Sequence, residues 1–389
     1  MRSLWLALAT PALVVVSGAA YAEQWQFEPT ANLETGYDDN VRLTSSSDAE
    51  AAPHVNLDAG IRAIRTTEVS DVRFALGLAG NWYSGVSDLD NTSGFAGLDL
   101  GYRLERHTLS LGLSLASEST LTSEVATTGL VQVNRQQNTF TVGPAWSYLL
   151  SERARLNLAA NYQQVYYEDV QDLPLYNYRL GSVDFSGSYS YTERLALTGR
   201  ISYGRYETQG PTNDYENVDL MGGANYQLSA TTSLSALFGL RRTEATIEDV
   251  DQSTITQNSS GPTYALSFSK NFEAGGGLRL EARRDLMPSG SAEVLDTTGL
   301  AANLDVRFRP RWQFVLAATA YRNRQPDGDS GIDDRTYASV EPGIGYVIDE
   351  SWRLAASYRF RWEDRNELDS NAVSNAIYVS LNWTRPSGL

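Results

Sequence analysis

The sequence predicts an all-β protein, a transmembrane antiparallel up-and-down β-barrel of about 18 strands. After residue 60, a polar turn recurs about every 40 residues between two segments in which apolar and polar residues alternate. These turns lie near Thr67, Arg106, Ser151, Glu193, Ala230, Ala274, Pro310 and Glu350. Each repeat therefore holds two strands joined by a short turn, which is a meander of hairpins.

The two faces of the predicted strands indicate a barrel in a membrane. Residues 352–362 place Trp, Leu, Ala, Tyr and Phe on one face and mainly Arg and Ser on the other, and residues 300–309 alternate similarly. A β-propeller would need four strands in each repeat, and a soluble sandwich of so many long, uniform hairpins would be unusual. We therefore expect an apolar face toward lipid and a polar face toward a lumen.

The turns also predict the topology. They account for sixteen strands, and unpaired alternating segments at residues 25–36 and 372–383 bring the number to about 18. In single-chain bacterial barrels the short turns lie in the periplasm, so both termini are expected there and the longer connections outside. A closed sheet of this size is wide enough for an aqueous lumen.

Aromatic residues gather at both ends of the predicted strands. Those beside the short turns are Tyr102, Tyr148, Tyr191, Tyr226, Phe308, Trp312, Tyr346 and Trp352, and those toward the longer loops are Trp82, Tyr162, Tyr203, Tyr321, Phe360 and Trp362. Two such belts are typical of the two interfaces of an outer-membrane barrel.

The N-terminus predicts export. Residues 1–22 have the pattern of a Sec signal peptide, with an early Arg2, an apolar stretch, and Ala20 and Ala22 before Glu23. Residues 23–389 are predicted to form one barrel domain in a bacterial outer membrane. The chain contains no Cys, which excludes a disulfide framework, thiol catalysis and a lipoprotein anchor.

Acidic residues are concentrated in the predicted outer loops. The chain has 31 Lys and Arg against 47 Asp and Glu, a formal net charge of -16. The loop acids are Asp38, Asp39, Asp48, Glu50, Glu168, Asp169, Asp172, Glu248, Asp249, Asp251, Asp327, Asp329, Asp333, Asp334, Glu363, Asp364, Glu367 and Asp369. We interpret them as solvated, with a loose divalent-cation site that bridges to lipopolysaccharide phosphates as the alternative.

Arginines lie mainly on the strands and are predicted to line the lumen. The set is Arg62, Arg73, Arg155, Arg200, Arg241, Arg279, Arg283, Arg307, Arg353, Arg359 and Arg361, with fewer inward acids such as Asp58, Asp99, Asp219, Glu281 and Asp305. One interpretation is that they form salt bridges that brace a wide wall. The other is that they form a path for an anionic solute or an acidic polysaccharide.

A short motif at the end of the first predicted strand resembles a known family. Gly36, Tyr37, Asp38, Asp39 and Asn40 follow Leu33-Glu34-Thr35, and this opening resembles that of the β-barrel porins encoded with exopolysaccharide and exosortase systems. The resemblance implies an outer-membrane barrel associated with polysaccharide secretion, for which alginate-exporter-type barrels are a distant analogue, and it implies no catalytic residues. Taken without the resemblance, Gly36 relaxes the strand end and the following residues begin a solvated loop.

The sequence does not favour an enzyme. Only His54 and His107 are present, with no nucleophile-elbow motif and no metal-ligand spacing. Residues 327–334 are similar to a calcium loop, but Ala338 occupies the position where an EF-hand needs its final acid. We expect no catalytic site, no cofactor, no bound metal and no nucleic-acid partner.

Three functions remain open. The first is a channel or accessory protein for exopolysaccharide export, with the polymer and its periplasmic export machinery as partners. The second is a general or anion-preferring diffusion porin, and the third is a structural or surface-interaction barrel with a closed lumen. Outer-membrane lipid, lipopolysaccharide and the barrel-assembly machinery are expected partners in all three.

Overall fold

The computed structural model describes residues 25–45, 47–123, 134–170, 173, 175–210, 213–248, 254–325, 334–365 and 370–385. The predicted signal peptide at residues 1–22 lies outside this part of the chain. No helix in the described residues has the length and apolarity to span a bilayer.

Nearly all of the described chain is β-structure. The strands are β1 Gln26–Asp38, β2 Ala52–Thr66, β3 Ser70–Tyr83, β4 Asn91–Arg103, β5 His107–Ser119, β6 Gln136–Leu149, β7 Ala154–Tyr167, β8 Asn177–Ser190, β9 Leu195–Gln209, β10 Asn213–Ser229, β11 Thr232–Glu248, β12 Thr254–Asn271, β13 Gly276–Pro288, β14 Val294–Arg309, β15 Trp312–Arg324, β16 Arg335–Val347, β17 Trp352–Arg365 and β18 Ser370–Thr384. A 3₁₀ turn, Ser87–Leu89, and a one-turn helix, α1 Thr120–Ser123, lie in the loops.

The strands close into one antiparallel barrel. Each strand pairs with the next in sequence, and β1 pairs with both β2 and β18, so the 18-stranded sheet is closed. The predicted all-β, up-and-down barrel of about 18 strands is confirmed. The eight short turns also lie where the sequence predicts them, because each falls between two strands that pair as a hairpin.

The two faces of the wall differ in polarity. Along β3, Phe74, Leu76 and Leu78 are exposed on the outer face, so the alternating residues, among them Arg73 and Gly77, face the lumen. The outer face of the barrel is a band of exposed Leu, Ile, Val, Phe, Tyr and Trp. A strand of 13 residues tilted by about 45° rises about 30 Å, enough to cross a hydrocarbon core.

One member of the predicted aromatic belts is misplaced. Tyr321 is 9% exposed and faces the lumen, where its ring stacks on Tyr337 with a centroid distance of 4.9 Å. Alternation along β15 sets this orientation, because Tyr321 has the opposite parity from the outward residues of that strand. Aromatic type at a strand end does not by itself decide the face.

Candidate functional site

The arginines predicted to line the pore all lie on strands, on the face opposite the exposed apolar side chains. Part of the set is paired with acids. The pairs are Arg62–Glu28 (3.3 Å), Arg200–Asp184, Arg241–Asp296 (2.8 Å), Arg279–Glu281, Arg359–Asp38 (3.2 Å) and Arg361–Asp38 (2.9 Å). The acids Asp296 and Asp38 are buried, so their pairs constrain the structure more than the exposed pairs do.

The remaining arginines of the set have no ion pair with any acid that the structure describes. Arg73, Arg155, Arg283, Arg307 and Arg353 have no acid within ion-pair distance in the described part of the chain. All of them except Arg283 lie close to a short turn. The unpaired positive charge of the inner wall is therefore concentrated at the end of the barrel that carries the short turns.

The inner face carries more acids than the predicted set, and also more arginines, since Arg103, Arg335 and Arg365 have inward parity as well. By strand alternation the predicted acids do face inward, but further acids share that face. They are Glu28, Glu34, Asp38, Asp71, Glu118, Asp184, Asp285, Glu341 and Glu363. The described lumen is therefore mixed in charge, because loop-end acids such as Asp38 and Glu363 belong to the strands.

The loop end of the β13–β14 hairpin separates from β12, while β14 stays paired with β15 as far as Asp296↔Arg324. The ladder between β12 and β13 ends at Tyr264↔Arg284. The ladder between β11 and β12 continues to Glu248↔Thr254, and that between β13 and β14 continues to Pro288↔Val294. The last part of the β13–β14 hairpin has therefore separated from β12 while its own pairing remains intact.

The tip of this hairpin, residues 289–293, is held by hydrogen bonds to segments on the far side of β12. The Tyr206 hydroxyl donates to the Ser289 carbonyl at 2.8 Å, and the Tyr176 amide donates to the Gly290 carbonyl at 2.7 Å. The Asn213 side-chain amide donates to the Ala292 carbonyl at 3.0 Å. The tip therefore lies inside the barrel, against the wall formed by β8, β9 and β10.

Near its tip, the hairpin buries the same face that points toward the outside of the barrel nearer the short turns. Leu280 and Leu300 are exposed on the outer face, whereas Val294 and Asp296, which have the same parity, are buried. Asp296 accepts a hydrogen bond from Arg241 of β11 at 2.8 Å, and the two side chains are 8% and 3% exposed. The hairpin has moved inward past β12, so its outer face now packs on the inner wall.

A tyrosine cluster forms the surface on which the hairpin packs. Tyr167, Tyr178, Tyr206 and Tyr215 are buried together with Val294. Neighbouring rings along this row lie 6.4, 5.2 and 5.9 Å apart. We did not predict this cluster, although its signal is present in the sequence: each of the four neighbouring strands β7–β10 carries a Tyr at an inward position near its loop end.

The hairpin tip also carries a partly buried acid, Glu293. Burial raises the pKa of the Glu293 carboxyl to about 7. Its Oε2 atom has no hydrogen-bond partner in the described structure. Burial in the docked tip therefore disfavours the charged form of this carboxyl.

The motif that resembles a known family is packed against the inner wall. Asp38 is 2% exposed and accepts hydrogen bonds from Arg359, Arg361 and Ser374. Asn40 is 1% exposed, and its side-chain amide donates to the Thr44 and Val373 carbonyls. The interpretation of this segment as a solvated loop is therefore wrong, because Asp38 and Asn40 join the loop 39–51 to β17 and β18.

Close packing explains why residue 36 is a glycine, and not the relaxed strand end that the sequence suggests. A Cβ there would lie 2.7 Å from the Ile377 carbonyl oxygen and 2.8 Å from the His54 ring. The His54 and Tyr378 rings meet in front of this position with centroids 5.3 Å apart. Tyr37 of the motif is exposed on the outer face.

Several loops beyond the strands are joined to one another. Arg42 of the β1–β2 loop pairs with Asp88 of the β3–β4 loop. Asn134 donates to the Asp88 carbonyl at 2.7 Å, and Arg135 donates to the Asp169 carbonyl at 2.9 Å. These contacts join neighbouring loops at the end of the barrel opposite the short turns, where the docked hairpin occupies part of the lumen.

The predicted loop acids have different outcomes. Glu363 lies in β17, is 2% exposed and pairs with Arg335 at 2.6 Å, so its interpretation as a solvated loop acid is wrong. Asp172, Asp249, Asp251, Asp327, Asp329, Asp333, Glu367 and Asp369 lie outside the described residues, as does most of the segment similar to a calcium loop. No group of three potential metal ligands occurs among the residues that the structure describes.

Both histidines have ring contacts. His54 lies on the inner face of β2 and is buried, 3.9 Å from Glu34. His107 begins β5 and accepts a hydrogen bond from the Trp146 indole at 3.0 Å. The two residues lie on different faces of the wall, because His54 pairs with the inward Gly36 and His107 with the outward Tyr148.

Comparisons with known proteins give only distant likenesses. No protein-family profile and no curated protein matches the chain. Among solved structures, OccAB2 of Acinetobacter baumannii is similar with a TM-score of 0.49 and 12% identity, covering 93% of this chain and 98% of that one. OccK2 (OpdF) of Pseudomonas aeruginosa gives 0.49 and 12%, with 94% and 98% covered.

A third solved structure, a copper transporter named OprC, has a TM-score of 0.48 at 10% identity, with 91% of this chain covered. This chain spans only 63% of the length of that protein. At these levels of identity and overlap, the likenesses assign no function to the chain.

Proposed function

We propose that this chain is a bacterial outer-membrane barrel that conducts small hydrophilic solutes through its lumen. The observation that carries the proposal is the closed 18-stranded wall with an apolar outer face and a polar inner face. Where neighbouring strands pair in such a wall, their backbone N–H and C=O groups are hydrogen-bonded to each other and none is left unpaired toward lipid. Its width allows an aqueous lumen, in contrast to an eight-stranded barrel filled with side chains.

The environment follows from the same proposal. Lipid would surround the exposed apolar band, lipopolysaccharide the loops, and the barrel-assembly machinery would insert the chain after a Sec signal peptide at residues 1–22 has directed its export. The start of β1 and the end of β18 lie on the side of the short turns, because Gln26 pairs with Ile64 beside the turn at Thr67 and Thr384 pairs with Thr30. We assign that side to the periplasm.

Diffusion of small solutes fits this lumen better than polymer export. Export of an exopolysaccharide, which the Gly36–Asn40 resemblance implies, would need a continuous path for a chain of sugar residues. The docked β13–β14 hairpin occupies part of that path at one end. The mixed charge of the inner wall supports weak ion selectivity, so a strong preference for anions is not part of the proposal.

Planar-bilayer recording of the purified chain, residues 23–389, tests the proposal. We expect discrete conductance steps and a reversal potential near zero in a KCl gradient, because inward arginines and acids are intermixed. Liposomes containing the protein should release mono- and disaccharides but retain long polysaccharides. Absence of conductance from a correctly folded barrel, or release of long polymers, would contradict the proposal.

A further inference from the structure

Phe95 is an exposed apolar residue on the inner wall. It lies on β4 opposite Gly77 of β3 and Ala116 of β5, and all three positions have inward parity. Its side chain is 52% exposed. The other large apolar residues exposed on the described strands point outward, except Ile255 at the far end of β12. An aromatic ring that faces pore water forfeits the burial that usually stabilises it.

On the β3 side, the wall beside Phe95 consists of glycines, so the Phe95 ring can lie flat against it. A Cβ at Gly77 would overlap the Phe95 ring, so glycine allows the ring to take this position. Gly60 of β2 is the next inward position along the same row. The ring therefore has one face on Gly77 and its other face toward the lumen.

A recess of about 310 Å³ adjoins this ring. Glu28, Asp58, Arg62 and Glu118 are the charged residues among those that line it. Asp58 accepts one hydrogen bond from the Asn32 side chain at 2.9 Å, and Arg62 lies 3.3 Å from Glu28. The volume is at the lower end of the range found for small-molecule sites, about 300–1,000 Å³.

The chemistry of this recess fits a sugar ring. The face of an aromatic ring carries partial negative charge and attracts the weakly positive C–H groups on one face of a pyranose. Carboxylate oxygens accept hydrogen bonds from sugar hydroxyls. Acids outnumber the arginine here, so an anionic sugar would be repelled.

We propose that the recess around Phe95 is a binding subsite for a neutral saccharide ring. The inference rests on the proposed function, because a solute must enter the lumen to reach this position. It adds the class of solute to that function. Phe95 supplies the stacking face, and the Asp58 and Glu118 carboxylates accept hydrogen bonds from the sugar hydroxyl groups.

Titration of maltotriose tests the subsite in two independent ways. In planar bilayers we expect maltotriose to reduce the single-channel current in a saturable manner. Saturation-transfer NMR on the detergent-solubilised barrel should show contact with the sugar C–H groups. Trigalacturonate should bind at least tenfold more weakly, because the recess carries the same charge sign as that ligand.

Variants at Phe95 identify the contact. Phe95→Ala should raise the half-saturating maltotriose concentration at least tenfold, whereas Phe95→Tyr, which keeps the ring, should change it less than threefold. Phe238→Ala removes an equally exposed phenylalanine from the outer face and should have no effect. Heat-modifiable migration on gels confirms that each variant is folded.

Two results would overturn the inference. One is equal maltotriose binding by the wild type and Phe95→Ala, and the other is no binding by the wild type in either measurement. If NMR detects binding that depends on Phe95 while bilayers show no conductance, the subsite stands and the proposed channel function fails. If the barrel conducts but maltotriose does not bind, only the subsite fails.

Discussion

Asp296→Asn is expected to release the β13–β14 hairpin from the inner wall and to raise single-channel conductance several-fold. The substitution leaves Arg241 buried without its acid and removes the charge that also binds Arg284. Breaking a buried ion pair in this way costs about 3–5 kcal/mol. Since about 1.4 kcal/mol is a factor of ten, the docking equilibrium would shift by about two to four powers of ten.

Asp305→Asn is the matched control for this experiment. Asp305 is also an acid of β14 and faces the lumen, but it lies near a short turn and accepts a hydrogen bond from Gln313 rather than pairing with an arginine. Its conductance should stay close to that of the wild type. If Asp296→Asn and Asp305→Asn give the same conductance, the buried pair does not hold the hairpin in the pore.

Asp38→Ala is expected to destabilise the barrel by about 3 kcal/mol, the lower end of the cost of breaking a buried ion pair, because Arg359 and Arg361 are partly exposed. Asp38 accepts from Arg359, Arg361 and Ser374 at 3.2, 2.9 and 2.7 Å. It thereby joins β1 to β17 and β18, where the two ends of the chain close the sheet. The free energy of unfolding, measured by urea titration in lipid vesicles, should fall by this amount.

The control for Asp38 is Asp58→Ala. Asp58 is an inward acid of β2 that accepts one hydrogen bond from Asn32 and has no ion pair in the described structure. We expect a loss of about 1 kcal/mol, typical of a single hydrogen bond. A loss for Asp38→Ala no greater than for Asp58→Ala would show that the closure does not depend on this buried acid.

The strand pattern could be predicted because its signals are local. Alternation of apolar and polar residues sets the face of each side chain, and short polar runs such as the one at Glu193 set the hairpins. The number of turns predicts an even number of strands, and closing such a sheet pairs the first strand, β1, with the last, β18. These signals need only neighbouring residues, which is why the strand order and all the short turns agree with the structure.

The segments inside the lumen could not be predicted in the same way. Asp38 is bound by arginines more than 320 positions away along the chain, so in sequence it resembles an acid at the start of a loop. The tip at residues 289–293 resembles an ordinary short connection, and its position depends on distant Tyr206 and Asn213. The signal that could have revealed it is the row of inward tyrosines.

The most direct test of a channel narrowed by its own hairpin is to fix the hairpin and then free it during one recording. Because the chain contains no Cys, a variant with Asn213→Cys and Ala292→Cys has a unique thiol pair at a contact that docks the tip. In the Asp296→Asn background, a cleavable bis-maleimide should return conductance to the wild-type level, and cleavage of the linker should raise it several-fold again. If neither cross-linking of the two cysteines nor cleavage of the linker changes the conductance, the claim that the hairpin limits the pore is contradicted.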